Sequence, residues 1–579
     1  MFRENEQHLQ FGLFDTFQQL PEKVRQRLED SWAGTFYREF FCRVDESLFA
    51  VLYSDKPSRP NVPINVLVGA EILKAGFGWS DEELYDEVQF NLQVRYALGL
   101  RDMSTVPFEL RTLYYFRHRL SKYMQETGQN LLDQVFEQVT DEQLKSLKLK
   151  TGQQRMDSVL VSSNIRQFTR LHLLVEVIQR VWRMLTTADQ TYYGEAFEPY
   201  CRGTAGQFCY YLKGEKISES LAAVGALMHR LLGELEARYG DRPPYQMLQR
   251  VFDKHFALVE AGPEDSESFL VRAKTGKELR ADSLQSPDDW EATFREKRGR
   301  GYRGYIANLS ETCDPENKLQ LITQVQVDSN LTDDTLMAMA AVPGLKARTE
   351  LEELWTDGGY VGSGTEQVFR EHKIRHVPTN LRGGRPSPDR LSLEAFSWQT
   401  DEEGNPQTVS CPGGQQGTIK AGFKEGRFLV RFDSSVCDTC CWADRCRAEP
   451  VKLRQERLLR VTSRQVHLAQ LRPLAAWACK AGNNLRSAIE STVRSVTHPF
   501  GGQSGKLPVR GKSRVGQVMI YSALMVNLRR IWHHEQELAE QQTQDLLTLL
   551  LRGCLRPRSW FRVRFVRGTL RLGFICTKT

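Results

Sequence analysis

Glu490 stands at the head of a long basic stretch. Residues 491–534 contain no Asp or Glu. They carry the basic residues Arg494, Lys506, Arg510, Lys512, Arg514, Arg529 and Arg530. A lone carboxylate in these surroundings predicts a metal ligand beside bound phosphate. Arg486 lies four positions earlier, in a segment (485–496) that predicts a helix with both side chains on one face. A solvated helix followed by a basic loop is the alternative.

Two further carboxylates lie in segments that predict strands. Asp157 is the acid in the short apolar run 156–161, and Asp357 follows the run 353–356 at a glycine turn. Either acid by itself could be a capping or turn residue. Together, three carboxylates supply the oxygen ligands that Mg²⁺ prefers. Two such ions relieve charge on the attacking and leaving oxygens of a phosphodiester.

The order of these motifs resembles that of bacterial insertion-sequence transposases of the DDE type. The resemblance rests on Asp157-Ser158 with Asn164 downstream, Asp357-x-Gly359-Tyr360, Arg486-x-x-x-Glu490 and Asn527-Leu528-x-Arg530. It implies a site in which Asp157, Asp357 and Glu490 hold two Mg²⁺ or Mn²⁺ ions, with Asp157 bridging both.

That resemblance also implies partners and a reaction. The enzyme would bind the terminal inverted repeats of its element, cleave the ends and transfer the 3′-hydroxyls to target DNA, as a homo-oligomer on DNA. We expect the DNA contacts to come from Arg486, Arg494, Lys506, Arg510, Lys512 and Arg514. In a related signature a Tyr precedes and a Lys follows the Glu, where this chain has Asn483 and Thr497. A hairpin mechanism that depends on that Lys is therefore not predicted.

Five cysteines fall within residues 411–446. Cys437 and Cys440 form a Cys-x-x-Cys knuckle, and Cys411 and Cys446 flank it. Four thiolates satisfy a tetrahedral zinc ion, so these four predict a structural zinc site. The neighbouring Cys441 offers an alternative ligand, and reduced thiols without metal are a further possibility.

Composition and charge limit the class of protein. The chain has 579 residues, 40% of them hydrophobic, with a net charge of +6. This predicts a globular protein of several domains, and its mild basicity is only weak evidence for nucleic-acid binding. No run of 18 apolar residues occurs, and the N-terminus lacks a signal-peptide pattern. We expect a cytoplasmic protein without a membrane partner.

The predicted fold is α/β: a ribonuclease-H-like mixed sheet with a helical insertion, preceded by an all-α N-terminal domain and carrying a small Cys-rich insert. In that fold the first three strands form a meander, and the first and fourth are neighbours, which brings their acids together. The intervals from Asp157 to Asp357 and from Asp357 to Glu490 are long, so both should contain insertions.

The predicted boundaries follow the chain in order. They are an N-terminal helical segment (1–59), a helical DNA-end-binding domain (60–125), a linker with the first catalytic strand (126–165), a helical insertion (166–260), the catalytic core (295–400), the Cys-rich insertion (401–455), the continued core with the Glu helix (456–540) and a basic tail (541–579). Helices are predicted at 65–77, after a Ser80 cap, at 91–98 and at 105–123. End binding by this block rests on the resemblance, and a plain helical bundle is the alternative.

The tail interleaves basic and aromatic side chains, which suits a phosphate backbone and unstacked bases. A β-hairpin packed on the core is the alternative reading. Two other functions compete with the transposase. One is a nuclease of the same fold without strand transfer, and the other is a transposase-derived DNA-binding protein that no longer cuts.

Overall fold

The chain begins with a helical region that leads into the first strand. The computed structural model describes residues 1–6, 8, 15–54, 56–57, 59–103, 106–260, 269–383, 387, 389–401, 403–451, 454–500 and 506–551. The N-terminal helices are α1 (Glu22–Glu29), α2 (Trp32–Phe36), α3 (Ile64–Phe77), α4 (Asp81–Phe90), α5 (Leu92–Ala97), α6 (Leu110–Thr127) and α7 (Leu131–Ser146).

The predicted helix starts in this region are largely confirmed. Ser80 caps α4 in a capping box with Glu83, which satisfies backbone donors at both positions. The prediction of a helix from residue 105 is wrong at its start, because α6 begins at Leu110. Pro107 explains the difference, since a proline disfavours helical backbone at the preceding residue.

The larger sheet contains the strand with Asp157. Its strands are β1 (Gln153–Ser162), β4 (Thr293–Lys297), β5 (Arg300–Thr312), β6 (Ile322–Ser329), β7 (Glu353–Thr356) and β8 (Arg375–Pro378), with α13 (Asp334–Arg348) and α14 (Ser363–Glu371) in the connections. Before β4 come the helices and hairpin of an insertion, namely α8 (Arg170–Met184), α9 (Thr187–Cys201), α10 (Ala205–Tyr210), α11 (Glu215–Tyr239), α12 (Pro243–His255), β2 (Phe256–Glu260) and β3 (Phe269–Ala273).

The strand order of this sheet brings β1 and β7 together. β1, β5 and β6 form an antiparallel meander, and β4 pairs with the first part of β5. On the other side β1 pairs in parallel with β7, which pairs in parallel with β8. The register sets Arg155 beside Trp355, so two residues further on Asp157 and Asp357 lie side by side at the same edge.

The insertion between β1 and β4 has a hydrophobic core of its own. Leu174, Phe197, Leu231 and Leu248 are fully buried within it. The predicted helical insertion is therefore present, and it ends in the small hairpin of β2 and β3.

The five cysteines of residues 411–446 lie in the connections of a second sheet. It contains β9 (Ser397–Thr400), β10 (Pro406–Ser410), β11 (Gln416–Ala421), β12 (Arg427–Asp433), β13 (Glu449–Pro450) and β14 (Glu456–Thr462), with α15 (Ser434–Cys437) in the connection and α16 (Ser463–Ala478) after it. The unit is larger than the predicted insertion, because its strands extend beyond 401–455 at both ends. Val430 and Leu459 lie in its core.

Two helices complete the fold: α17 (Ile489–Thr497), which carries Glu490, and α18 (Lys512–Leu551). The predicted helix over 485–496 is wrong at its start, because the Asn484 side chain accepts a hydrogen bond from Ser487 N (3.1 Å) and forms a turn there. α18 extends well beyond the Asn527-Leu528-x-Arg530 pattern. Residues 532–551 contain no Gly or Pro and continue α18.

The N-terminal helices and the larger sheet share one core. Leu67 of α3, Phe116 of α6, Tyr305 of β5 and Leu524 of α18 belong to the same buried cluster. The N-terminal block is thus packed against the larger sheet through α18, which contacts both. The first part of the predicted tail, 541–551, is helical, and residues 552–579 lie outside the described residues. No helix among the described residues is long and apolar enough to span a membrane.

Candidate functional site

Asp157 and Asp357 meet at the edge where β1 and β7 run side by side. Asp157 lies within β1, and Asp357 is the first residue after β7. Because neighbouring strands are about 4.8 Å apart, the parallel pairing brings the two carboxylates close together. The Asp357 carboxylate is close enough to raise the pKa of Asp157 by repulsion, so the site favours a bound positive charge.

Asp157 is held by two donors. Its Oδ2 accepts a hydrogen bond from Arg486 Nη2 (2.6 Å), and its Oδ1 accepts one from Ser158 N (2.9 Å). Burial raises the pKa of Asp157 to about 6. The Arg486 guanidinium lowers this pKa, and the nearby Asp357 carboxylate raises it. The side chain is 13% exposed, so the charged form is poorly solvated.

Glu490 reaches the same guanidinium from the other side. Its Oε1 lies 3.6 Å from Arg486 Nη1, and its side chain is 71% exposed. Arg486 therefore bridges Asp157 and Glu490, and its positive charge lies where the carboxylates of two elements converge. The structure brings all three sequence-predicted acids to one region of the molecule.

Asp334, which the sequence reading missed, is a fourth acid at this site. Asp334 is the first residue of α13, and its Oδ1 accepts a hydrogen bond from Ser158 Oγ (2.7 Å). Its Oδ2 accepts one from Arg382 Nη2 (3.2 Å). In the sequence this acid looks like an ordinary residue of the first helical turn, where a negative charge interacts favourably with the helix dipole. No signal in its local spacing distinguishes it from such a residue.

Gly359 lets two carboxylates approach the same point of the backbone. A Cβ at Gly359 would lie 2.6 Å from Asp334 Oδ2 and 2.7 Å from Asp357 Oδ1. Gly359 N also donates to Asp357 Oδ1 (2.7 Å). A side chain at position 359 would collide with these carboxylates, so Gly359 is required there. This explains the glycine of the Asp-x-Gly-Tyr pattern.

Tyr360 packs beneath the acids. It is fully buried and its hydroxyl donates to Asn308 Oδ1 (2.7 Å) on β5. Burial raises the pKa of Tyr360 well above its usual value, and the neighbouring Asp157 and Asp334 raise it further. The hydroxyl therefore stays neutral and acts as a donor that fixes the floor of the site.

Some of the predicted DNA-contacting residues are exposed, and others are already in contact with the rest of the protein. Arg494 and Arg514 are exposed. Lys512 Nζ lies 2.6 Å from Asp328 Oδ1, while Arg510 Nε donates to Asn164 O (2.7 Å). The backbone of Lys506 pairs with that of Ser162, at the end of β1, in an isolated parallel β-bridge. The basic loop is thereby anchored beside the strand that carries Asp157.

The Asn-Leu-x-Arg pattern points inward. Asn527 is fully buried, and its side chain accepts from Ile322 N (2.8 Å) and donates to Ile322 O (2.9 Å). It thereby satisfies backbone groups of β6, a strand whose other edge pairs with β5. Arg529 Nη2 donates to Gly76 O (2.7 Å) at the end of α3. These contacts hold α18 against the sheet and the N-terminal helices.

Arg117 of α6 holds N-terminal helices together. Arg117 Nε lies 2.6 Å from Glu71 Oε1, and its Nη2 lies 2.6 Å from Asp81 Oδ1. Arg117 thus joins α3, α4 and α6. His118 and Arg119 are exposed on the same helix, and the Arg119 guanidinium lies 4.7 Å from the centre of the Tyr53 ring.

The four predicted zinc ligands line one small pocket. Cys411, Cys437, Cys440 and Cys446 surround it, whereas Cys441 is exposed outside it. Burial raises the pKa of the Cys437 thiol, Arg457 lowers it, and the other three cysteines raise it. In the described part of the chain, no group of three or more His, Cys, Asp and Glu side chains is arranged to hold a metal ion.

Part of the N-terminal region matches a known protein family. Residues 25–119, from α1 into α6, match a family model described as a transposase domain (DUF772). No curated protein and no solved structure matches the chain.

Proposed function

We propose that this chain is a DDE-type transposase with a ribonuclease-H-like catalytic core. The observation that carries the proposal is the meeting of Asp157 and Asp357 on neighbouring parallel strands, with Glu490 linked to Asp157 through Arg486. The transposase-domain match of residues 25–119 supports it independently, because that match lies outside all three acids.

The topology of the larger sheet supports the ribonuclease-H-like part of the proposal. Its first three long strands, β1, β5 and β6, form an antiparallel meander, and the next strand β7 returns in parallel beside β1. The helix with Glu490 follows after the second sheet. The two insertions therefore separate the acids in sequence while the core keeps them together in space.

The types of donor suit divalent magnesium or manganese, and the side chains would have to move to bind an ion, because no group of three in the described part of the chain is arranged to hold one. The converging groups are carboxylates, which are the ligands that these hard cations prefer. The Arg486 guanidinium supplies a positive charge between Asp157 and Glu490, and this pairing supports the proposal that a cation is favoured there. Asp157, Asp357 and Glu490 would hold the ions, with Glu490 turning inward from its exposed position. When bound, the ions would relieve charge on the attacking and leaving oxygens of the phosphodiester.

The protein's own groups would position DNA at this site. Asp157 has a pKa of about 6, so it is ionised at neutral pH and available as a ligand. Arg494 and Arg514 project from the helices on either side of the basic loop, where phosphates are attracted. Arg486, once released from Asp157, would add a further phosphate contact. We propose that a homo-oligomer holds the element ends.

The direct test is cleavage of DNA that carries the inverted repeats flanking the coding sequence, in Mg²⁺ or Mn²⁺. We expect cuts at the repeat ends and joining of the 3′-hydroxyls to target DNA. Cuts without joining would favour a nuclease of the same fold. Folded protein that binds the repeats and never cuts would favour a transposase-derived DNA-binding protein.

We also propose a structural zinc ion in the second sheet, held by Cys411, Cys437, Cys440 and Cys446. Their sulfur atoms line one pocket in a unit with a small core, where four thiolates suit tetrahedral zinc. We expect one zinc per chain by metal analysis of the purified protein. Cys437→Ser should lose the zinc, whereas Cys441→Ser, the matched control, should keep it. A folded, active protein with almost no zinc would show that the cysteines are metal-free thiols.

DNA binding should separate into a specific and a nonspecific part. We expect the N-terminal helices to select the element ends, while residues 552–579 add affinity through phosphate contacts. Deleting 552–579 should lower the slope of log affinity against log salt, because fewer counterions are released, and should preserve the preference for end DNA. Binding would be measured by fluorescence anisotropy at several salt concentrations. If deleting 552–579 abolished the preference for end DNA and left the overall affinity intact, the tail rather than the N-terminal helices would select the ends.

A further inference from the structure

A buried ionic cluster lies directly behind the acid site. Its centre is Glu311 of β5, whose side chain is 0% exposed. Glu311 Oε1 accepts a hydrogen bond from Arg155 Nε (2.6 Å). Glu311 Oε2 accepts hydrogen bonds from Arg530 Nη1 (2.7 Å) and Thr492 Oγ1 (2.8 Å). Each oxygen of the carboxylate is thus hydrogen-bonded, and the two guanidinium groups more than neutralise its single negative charge. Thr492 Oγ1 also accepts a hydrogen bond from Arg530 Nη2.

The cluster connects the three elements that must be aligned at the site. Arg155 is on β1, two residues before Asp157 and on the same face of the strand. Its Nη1 donates to Leu485 O (2.6 Å), immediately before Arg486. Thr492 lies in the first turns of α17, two residues after Glu490. The cluster therefore holds residues 485–492 by hydrogen bonds at both ends, at Leu485 and at Thr492.

Among the described residues, the Glu490 carboxylate itself is held only weakly. The side chain is largely exposed, and the contact described for it is the 3.6 Å approach to Arg486. Its location relative to Asp157 is consequently set by where the backbone of α17 starts. Packing of apolar residues could hold a helix with equal stability, because a buried ionic cluster has a large desolvation cost. Directional bonds to a central carboxylate define the helix position more narrowly.

We propose that Glu311 is a positioning residue that places Glu490 opposite Asp157, acting through Arg155 and Thr492. The inference rests on the proposed function, since it assigns Glu490 to the catalytic site. Arg530 adds a second consequence. Because Arg530 lies on α18 beside Arg529, which contacts Gly76, the same cluster ties the start of α17 to the helix that packs on the transposase-domain region.

The test compares substitutions at Thr492, since Glu311→Gln would leave the buried Arg155 and the partly buried Arg530 without their charge partner and could prevent folding. Thr492→Val keeps the shape and removes the hydroxyl, and Thr492→Ser keeps the hydroxyl. Thr323→Val is the matched control. Thr323 is also fully buried, and its Oγ1 donates to Gln154 Oε1 (2.7 Å) on β1.

Two readouts are needed. We expect Thr492→Val to lower kcat for end cleavage about tenfold with KM for end DNA unchanged, because the hydroxyl's hydrogen bonds to the charged groups of Glu311 and Arg530 are lost. Thr492→Ser should recover most of the rate, and Thr323→Val should cut normally. Hydrogen exchange of the metal-free protein should accelerate over residues 485–497 in Thr492→Val and should not change there in Thr323→Val.

Faster exchange over 485–497 with an unchanged kcat would overturn the positioning role, because a loosened helix would then not matter for catalysis. Equal loss of rate in Thr492→Ser and Thr492→Val would also overturn it. Failure of the proposed function looks different, since wild type and Asp157→Asn would then not differ in cleavage. In that case the exchange experiment alone decides whether the Glu311 cluster holds the segment.

Discussion

Asp157→Asn, Asp357→Asn and Glu490→Gln should each reduce cleavage of end DNA by about 10³-fold or more, because metal-assisted charge relief supplies several kcal/mol. Each change keeps the shape of the side chain and removes one charge. The three acids converge from β1, the end of β7 and α17, and Arg486 joins two of them. Loss of any one should therefore disable the same site.

The losses should be similar and should not add, since an incomplete set of metal ligands is about as poor as none. Cleavage rates would be measured in Mg²⁺ and in Mn²⁺, with end-DNA binding as the control for folding. Asp141→Asn is a matched variant, because Asp141 is ion-paired with Arg348 (2.7 Å) on the α7 side of the sheet. It should cut normally. A variant that binds ends and cuts at the wild-type rate would remove its residue from the site.

Asp157→Asn should also stabilise the metal-free protein at alkaline pH. Burial raises the pKa of Asp157 from 3.8 to about 6. The folded protein therefore binds this proton more tightly than the unfolded chain does. The resulting stability is fully present below about pH 4 and is lost as pH rises through about 6. At pH 8 the neutral variant should exceed wild type by up to about 3 kcal/mol in free energy of unfolding.

The measurement is the free energy of unfolding in urea with EDTA, from pH 4 to pH 8. The gain should shrink toward zero at pH 4, and added Mg²⁺ should stabilise wild type and not the variant. Asp81→Asn should change the free energy of unfolding at pH 8 in the opposite direction. Burial raises the pKa of Asp81, but Arg117 and Lys74 lower it to about 2. That variant should be less stable at pH 8. If the difference in free energy of unfolding between Asp157→Asn and wild type did not depend on pH, the raised pKa of Asp157 would be wrong.

Local chemistry in the sequence was enough to predict several elements. Ser80 with Glu83 indicates a helix start, and the structure confirms the capping box because its bonds join residues three positions apart. The strands around Asp157 and Asp357 follow from short apolar runs before polar residues or glycines. Helix ends were less certain. The turn at Asn484 and the continuation of α18 past Ile531 depend on side-chain competition and packing that periodicity does not register.

The sequence by itself determined which residues we propose for the chemistry: Asp157, Asp357 and Glu490 are singled out by their type, order and neighbours. Only the tertiary structure decided what surrounds them. Asp334 reaches the site because α13 begins beside Ser158, and Glu311 reaches the start of α17 across 181 positions of sequence. Contacts of that separation depend on how strands pair and helices pack. A local pattern cannot specify them, because the same residues would look unremarkable in any helix or strand.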